Sequence, residues 1–177
     1  MESKVISKRG YVIRKEILDQ TEINKIKKDL TMTPFTLPGF QQDIKKFKLY
    51  QENSNKLYLP KSYAFKRFGK PDVDKLENSG DNIDIEFSGS MRDNQLPVID
   101  TFMKSCERQG GGLICLGCGY GKTIISLKIV SLLKKKTLIV VHKEFLLNQW
   151  LERINEFLPK ARVGRIQQNK VDIHDKD

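Results

Sequence analysis

The stretch Leu113-Ile-Cys-Leu-Gly-Cys-Gly-Tyr-Gly-Lys-Thr-Ile124 decides the fold, because a short apolar run breaks into glycines and then opens into a helical pattern. This order is typical of a phosphate-binding loop, in which glycines let backbone N–H groups approach the phosphates and a helix start adds partial positive charge. In such a loop Lys122 reaches the β- and γ-phosphates, and the Thr123 hydroxyl binds Mg²⁺. The stretch therefore predicts a site for a nucleotide and Mg²⁺.

The loop departs from the strict pattern G-x-x-x-x-G-K-[ST], because Leu116 stands where the first glycine belongs. The shorter G-x-G-K-T recurs more often by chance, so the flanking sequence has to support the assignment. Residues 113–116 predict a buried strand, and apolar residues recur at helical spacing from Thr123 to Leu133. This context favours a phosphate site over a glycine-rich turn with an incidental lysine.

The formal charge of +10 is unevenly distributed. Residues 1–70 hold 16 Lys and Arg against 7 Asp and Glu, residues 71–100 hold 2 against 8, and residues 101–177 hold 14 against 7. Two basic regions around an acidic connector suit a polyanion, most simply nucleic acid. Ordinary solvated surfaces are also lysine-rich, so charge alone adds only modest support.

Several classes of protein are disfavoured. No apolar run approaches the roughly 18 residues of a membrane span, and the N-terminus lacks the apolar segment of a secretory signal, so we expect a soluble intracellular protein. Three cysteines do not suggest a disulfide framework. Cys115 and Cys118 form one C-x-x-C without a second pair, and His142 and His174 lack zinc-ligand spacing. We expect no metal beyond nucleotide-bound Mg²⁺.

The N-terminal part predicts a small basic α+β domain. One segment, Tyr58 to Gly69, interleaves aromatic and cationic residues. It could stack bases and bind phosphates, or its aromatics could pack the domain while its lysines face water. The predicted elements are a strand at residues 8–15, a helix from an N-cap at Thr21 to Leu30, and a hairpin of residues 47–51 and 56–59. The candidate nucleic-acid residues here are Phe65, Lys66, Arg67 and Phe68.

The acidic residues 71–90, with a loop signal at Ser79–Asn82, predict the connector between a domain of residues 1–85 and one of residues 86–177. Strands alternating with helices in the second domain indicate right-handed βαβ units and a parallel α/β sheet. The predicted strands are residues 83–87, 113–116, 137–141 and 162–167, and the predicted helices are residues 93–108, 123–133 and 144–158.

Residues 91–167 resemble the first RecA-like domain of superfamily 2 helicases, in the branch of excision-repair and transcription-factor DNA translocases and helicases of large DNA viruses. Three segments resemble the family's motifs in order and spacing. They are Met91-Arg-Asp-Asn-Gln95, Leu116-Gly-Cys-Gly-Tyr-Gly-Lys-Thr123 and Leu138-Ile-Val-Val-His-Lys-Glu-Phe-Leu-Leu-Asn-Gln-Trp150. The segment from Tyr58 to Gly69 is more weakly similar to the N-terminal part of viral helicases of this kind.

The resemblance implies ATP and Mg²⁺ as cofactors and nucleic acid as partner, with DNA favoured over RNA. Gln95 would recognise the adenine edge with support from Arg92, and His142 and Lys143 would touch the DNA backbone. Alternatively Gln95 is a surface glutamine of a helix, and His142-Lys143 is a polar strand end. Trp150 is expected in the core. The implied nucleotide-binding residues are Arg92, Gln95, Gly117, Cys118, Gly119, Tyr120, Gly121, Lys122 and Thr123.

The departures from the family concern catalysis. ATP hydrolysis in this family needs an Asp-Glu pair at a strand end and arginines from a second RecA-like domain, and neither can be identified here. We therefore expect the N-terminal portion of a longer or split helicase, inactive alone and lacking its C-terminal partner portion. The alternative is a P-loop nucleic-acid-binding protein without motor activity. A small-molecule kinase is disfavoured, because no lid segment or downstream acidic partner is evident.

Overall fold

A computed structural model of the chain describes residues 2–35, 45–76 and 80–177. Residues 77–79, within the predicted connector, lie outside the described residues. The chain divides into two compact units, Met1–Glu77 and Asn78–Asp177, hereafter the first and second unit.

The first unit is built on a mixed five-stranded sheet in the order β5-β6-β2-β1-β7. Neighbouring strands are antiparallel except β1 and β7, which are parallel. A short antiparallel pair, β3 and β4, stands beside it. In chain order the elements are β1 (Lys4–Ser7), β2 (Gly10–Arg14), a 3-10 turn (Lys15–Ile17), α1 (Gln20–Asp29), β3 (Thr31–Met32), β4 (Phe47–Lys48), β5 (Gln51–Glu52), β6 (Lys56–Leu59), α2 (Lys61–Phe68) and β7 (Val73–Asp74).

Helices α1 and α2 pack on one face of this sheet. Alternate residues of β2 and β6 point to that face, as the period of two requires, and form the core of the unit. The buried residues of this core are Tyr11, Ile13, Ile23, Ile26, Leu30, Leu57, Leu59 and Ala64. The other face carries the remaining residues of the same strands, and no helix of residues 2–35 or 45–76 covers it.

The predicted elements of the first unit are largely confirmed. The hairpin exists as β5 and β6, but Phe47 and Lys48, predicted in its first strand, instead form β4 and pair with β3. The helix begins two residues earlier than expected, because Asp19 and not Thr21 is its N-cap: the Asp19 carboxylate accepts a 2.7 Å hydrogen bond from the Glu22 N–H. A carboxylate also complements the positive helix start, which favours Asp19 as the cap.

The second unit contains three helices and one hairpin. The helices α3 (Leu96–Gln109), α4 (Lys122–Leu133) and α5 (Glu144–Phe157) lie within a few residues of the predicted bounds. Pro97 lies in the first turn of α3, where a missing N–H is tolerated, and Gly110 ends that helix in the left-handed conformation. Residues 162–167, predicted as a parallel strand, instead contribute β8 (Arg165–Gln167) to an antiparallel hairpin with β9 (Lys170–Asp172).

The predicted parallel sheet is not formed among the described residues. Residues 83–87, 113–116 and 137–141 belong to no strand there, although Ile83 and Ile85 are buried as their alternation predicts. A strand completes its backbone hydrogen bonds only by pairing with a neighbouring strand. Within residues 80–177 no strand pairs with these three segments. Apolar residues predicted to be buried are therefore exposed: Leu113 by 87%, Leu138 by 75% and Val140 by 82%.

An apolar cleft of about 540 Å³ lies between α4, α5 and residues 137–141. Trp150 borders it, half-buried, and packs against the cluster of Ile83, Ile85, Leu127 and Ile154. The tryptophan thus contributes to packing, as expected.

Glu52 offers a test of the first unit through pH. Its carboxylate accepts a 2.6 Å hydrogen bond from Lys15 Nζ and pairs with Lys27 Nζ at 2.7 Å, linking β5 to the end of β2 and to α1. The hydrogen bond from Lys15, aided by that from Lys27, holds the pKa of Glu52 below its ordinary value. A lowered folded-state pKa stabilises the fold above the unfolded-state pKa, and this contribution is lost as the pH falls through the folded-state value.

We therefore expect Glu52→Gln to lower the free energy of unfolding at pH 7 by up to about 1 kcal/mol, because the pairs are partly solvated. The difference from the unchanged chain should shrink as the pH falls below the unfolded-state pKa of about 4.3 and disappear below the lowered folded-state pKa of Glu52. Urea unfolding followed by circular dichroism at pH 7 and at pH 3 measures this loss of stability and its dependence on pH. Glu16→Gln is the control, since Glu16 makes a single 3.3 Å pair with Arg14 and is more exposed. A deficit that is equal at pH 7 and pH 3 would contradict the electrostatic explanation.

Candidate nucleotide site

Two glycines shape the loop that precedes α4. Gly119 has φ +81° and Gly121 has φ +77°, a region that side chains with a Cβ enter at a cost. Gly121 is also the N-cap of α4, so the turn delivers the chain directly into the helix at Lys122. The free N–H groups of this helix start, with the loop N–H groups, can bind an anion.

The Lys122 side chain folds back over the loop. Its Nζ donates hydrogen bonds to the backbone oxygens of Gly117 at 2.8 Å and of Leu116 at 3.1 Å. Both acceptors are neutral, and the lysine is exposed. A phosphate oxygen would offer this ammonium a charge-assisted bond in their place, which is roughly twice as strong as a neutral one. The lysine is therefore held where a phosphate in the loop would meet it.

Gln95 connects the start of α3 to the same loop. Its side chain is only 3% exposed: Oε1 accepts from the Arg92 N–H at 3.0 Å, and Nε2 donates to the Tyr120 oxygen at 3.0 Å. A Cβ at Gly121 would come within 2.5 Å of Gln95 Nε2, so only glycine fits there without displacing the amide. Sequence reasoning had left open a surface position for Gln95, and the structure instead buries it against the loop.

The other predicted nucleotide residues lie on or beside the loop. Thr123 is half-buried in the first turn of α4, next to Lys122, while Tyr120 and Arg92 are exposed. Cys118 in the loop and Cys115 before it are exposed free thiols. The structure thus brings Arg92, Gln95 and residues 117–123 together.

His142 and Lys143 lie at the N-terminus of α5. Both are exposed, and Lys143 is the N-cap residue of this helix. No hydrogen bond or ion pair within the described ranges joins either side chain to the phosphate loop. They form a polar patch of the second unit without a contact to the loop, in which the Lys143 cation lies at the N-terminus of α5.

The candidate nucleic-acid residues of the first unit have structural roles. The Phe65 ring meets Tyr11 edge-on with centroids 5.9 Å apart, and the Phe68 ring stacks on Tyr11 at 6.4 Å. Arg67 lies over Phe68 and pairs with Asp29 at 3.6 Å and Glu22 at 3.9 Å. Of the four residues 65–68, only Lys66 is exposed. The packing alternative, open at the level of sequence, accounts for both rings.

No described helix is long and apolar enough to cross a membrane. Among residues 2–35, 45–76 and 80–177, no three His, Cys, Asp or Glu side chains form a group that could hold a metal ion.

Comparison with known proteins finds helicases. The family described as "Type III restriction enzyme, res subunit" matches residues 88–177. The chain is 38% identical over 170 residues to "Putative ATP-dependent RNA helicase L396" of Acanthamoeba polyphaga mimivirus, covering 94% of this chain and 33% of that protein. It is 38% identical over 96 residues to "DNA 3'-5' translocase XPB2" of Sulfurisphaera tokodaii, covering 52% of this chain and 21% of that protein.

A third relative is "Putative helicase 109L" of Invertebrate iridescent virus 3, 32% identical over 121 residues, with 65% of this chain and 34% of that protein covered. The chain therefore spans about a third or less of the length of these relatives. The mimivirus match extends over both units, whereas the family match covers only the part that contains the phosphate loop.

The close approach of Gly121 and Gln95 can be tested with a matched pair of variants. Gly119→Ala and Gly121→Ala impose similar backbone strain, roughly 1–2 kcal/mol, because both φ angles are positive. A Cβ at Gly119 meets nothing within 4 Å, whereas one at Gly121 collides with the Gln95 amide. We expect Gly121→Ala to be more destabilising by about 1–3 kcal/mol, since the buried amide loses its partners.

Urea unfolding of the full chain measures this difference. Adding Gln95→Ala to Gly121→Ala should recover part of it, because the clash is then removed, and a double-mutant cycle isolates that coupling. Equal losses in the two glycine variants, with no coupling to Gln95, would refute the contact.

Proposed function

Because the chain belongs to the superfamily 2 helicases, through the family described as "Type III restriction enzyme, res subunit", we propose that it is the N-terminal portion of an ATP-dependent DNA helicase or translocase. It binds ATP with Mg²⁺ through the phosphate loop and nucleic acid through basic surfaces. The observation that carries the proposal is the joint arrangement of Lys122 and Gln95 on one loop.

Phosphate binding follows from the loop. The N–H groups of residues 117–121 would hold the phosphates of a nucleotide, and Lys122 would exchange its two carbonyl contacts for phosphate oxygens. The Thr123 hydroxyl would be a ligand of Mg²⁺, which when bound would supply positive charge to the phosphates. Thr123 suits this role because it follows the lysine in the first helical turn.

Adenine recognition is assigned to Gln95, with Arg92 beside it. A glutamine amide has two donors and an acceptor oxygen with two lone pairs, and the contacts to Arg92 and Tyr120 use one donor and one lone pair. One donor and one lone pair therefore remain, the pair that a glutamine uses to bind adenine N7 and N6. Gln95 also donates a hydrogen bond to the Tyr120 carbonyl. The side chain proposed to bind the base is therefore connected to the loop proposed to bind the phosphates.

Nucleic acid contacts in the second unit are assigned to His142 and Lys143. Their exposure, the lysine charge and the adjoining start of α5 suit a backbone phosphate. The name of the mimivirus relative refers to RNA and that of the Sulfurisphaera relative to DNA. Our proposal favours DNA, and measurements on both polymers distinguish them.

Hydrolysis requires groups that we do not recognise in these 177 residues. Phosphoryl transfer depends on positioning and on stabilising the charge that develops on the transferred group, with a carboxylate for the metal and water and an arginine for the phosphate. In the proposed function these groups belong to the remainder of the helicase, supplied by a longer or a second polypeptide. The chain alone binds the nucleotide without turning it over.

We accordingly expect no ATPase activity above background from the 177-residue chain, with or without single-stranded DNA or RNA. Phosphate release measured by a coupled assay tests this, with the same preparation shown to be folded by circular dichroism. Robust turnover that disappears in Lys122→Ala would prove that a catalytic carboxylate is present in the chain and would overturn this part of the proposal.

Nucleotide binding should be weak and Mg²⁺-dependent. Lys122→Ala should reduce affinity for both ATP and inorganic triphosphate by about 1.5–3 kcal/mol, since it removes a charge-assisted contact. Gln95→Ala should weaken the binding of ATP more than that of triphosphate, because both ligands lose the support that Gln95 gives the loop and only ATP also loses the adenine contact. Calorimetric titration of both ligands makes the comparison, and Lys104→Ala, an exposed lysine of α3, controls for net charge. Equal loss of both ligands in Gln95→Ala would reject the adenine role.

A further inference from the structure

The five-stranded sheet of the first unit has a face without helices, and the register determines its residues. Tyr11 pairs with Leu59 and faces the core, so the next pair, Val12 with Tyr58, faces the other way. Gln51 of β5 pairs with Tyr58 from the other side. Val12 and Tyr58 are only half-buried. This face therefore combines the half-buried Val12 and Tyr58 with polar neighbours such as Gln51, and it retains contact with solvent.

A groove of about 750 Å³ lies along one end of this region, within the volume range of roughly 300–1,000 Å³ typical of ligand sites. It is open to solvent and involves three segments that are distant in sequence: the β1–β2 turn, the approach to β5, and the end of β6. The lining residues used below are Lys8, Arg9, Lys48, Tyr50, Gln51 and Tyr58.

The β1–β2 turn is fixed against β6 by Gly10. Gly10 has φ +96°, and a Cβ there would lie 2.6 Å from the Leu59 carbonyl oxygen, so the backbones touch. The two turn residues are Lys8 and Arg9, which this close approach holds beside Tyr58. The Arg9 guanidinium lies over the Tyr58 ring, 5.7 Å from its centroid, at a distance typical of a cation–π contact.

All charged side chains among the described residues that line the groove are cationic. Lys8, Arg9 and Lys48 are exposed cations, and no Asp or Glu lines the groove. Within the described part of the first unit, no ion pair joins these three to a carboxylate, whereas Lys15, Lys27 and Arg67 all have acidic partners. An anion entering the groove therefore meets unneutralised charge next to the Tyr58 ring, while Tyr50 at the same groove also packs against the core.

We propose that this groove binds a short stretch of single-stranded nucleic acid. Lys8, Arg9 and Lys48 neutralise backbone phosphates, and Tyr58, with Tyr50 at the same groove, provides a ring on which an unpaired base stacks. A ring can stack only on bases that are splayed from a duplex, whereas cations alone would accept any polyanion. Aromatic residues on an open sheet face are the arrangement by which single-stranded RNA is bound in small sheet domains.

The inference extends the proposed nucleic-acid role to a definite site in the first unit. It rests on the proposal that the chain acts on nucleic acid, but not on the phosphate loop. Binding at the groove should therefore be measurable without nucleotide and should be unchanged in Lys122→Ala. A failure of ATP binding would therefore not contradict the groove, and a groove that binds no nucleic acid would not contradict ATP binding at the loop.

The test uses the full chain and fluorescent oligonucleotides, oligo-dT and oligo-rU of equal length, in fluorescence anisotropy over a range of salt. A triple variant, Lys8→Gln with Arg9→Gln and Lys48→Gln, should lower the log–log salt slope by up to about 2, since each phosphate contact on a single strand contributes about 0.7. The matched control removes the same charge from exposed lysines that do not line the groove, through Lys25→Gln, Lys28→Gln and Lys70→Gln, and should leave the slope nearly unchanged.

Stacking is tested separately at Tyr58. Tyr58→Leu should weaken binding by about 5-fold or more without changing the salt slope, because a base loses its ring. Tyr58→Phe should retain affinity, since it loses only the hydroxyl that accepts a 3.4 Å bond from Asn53. Circular dichroism melting confirms that each variant is folded. The ratio of oligo-dT to oligo-rU affinity identifies the polymer.

Three results would overturn the proposal. Equal effects of the two triple variants would mean a diffuse electrostatic surface. Unchanged affinity in a folded Tyr58→Leu variant would mean that no base stacks there. Competition by inorganic polyphosphate as effective as by oligonucleotide, per phosphate, would mean an anion site without nucleic-acid preference.

Discussion

The buried amide of Gln95 is the contact on which the phosphate loop depends. It joins the residues before α3 to the turn before α4 by two hydrogen bonds, and it leaves room only for glycine at position 121. An unpaired buried amide would cost roughly 1–3 kcal/mol, so the loop and the start of α3 stabilise each other's positions. A nucleotide that engages Gln95 would act on a group that already holds the loop. Nucleotide recognition and loop geometry therefore share one side chain.

The helices were predictable because their signals are local. The sequence of α3 marks its own ends, with Pro97 in the first turn and Gly110 after the last. The helices α4 and α5 are likewise marked by signals within their own sequences. The strands were not equally predictable, because a strand needs a partner. Residues 137–141 have the composition of a doubly covered strand, yet no described strand lies beside them and Val140 is exposed. Composition indicates what a segment could become, whereas its neighbours determine what it forms.

The site residues differ in the same way: some were predictable from local sequence, whereas the role of others depends on tertiary contacts. Lys122 and its loop were found from contiguous letters, since the motif is local and its chemistry follows from spacing. Phe65 and Phe68 were ambiguous, because aromatic residues beside cations suit either a nucleic-acid surface or a core, and only the contact with Tyr11 distinguishes them. The groove could not have been found from sequence. Arg9 and Tyr58 meet through the pairing of β2 with β6, which joins residues almost fifty positions apart.

Net charge alone is therefore a poor guide to where a polyanion binds. Residues 1–70 carry 16 cations, but several of them already serve the fold. Glu52 pairs with both Lys15 and Lys27, and Arg67 pairs with Glu22 and Asp29 of α1. These pairs join strands and helices, so a phosphate competing for their cations would also have to disrupt internal contacts. At the groove a phosphate would disrupt no ion pair among the described residues. The concave shape adds to this difference, because low-dielectric walls concentrate the field of the cations that line them. Fold-stabilising ion pairs thus engage several cations of this unit, whereas the groove gathers three cations without an acidic partner among the described residues on one concave surface.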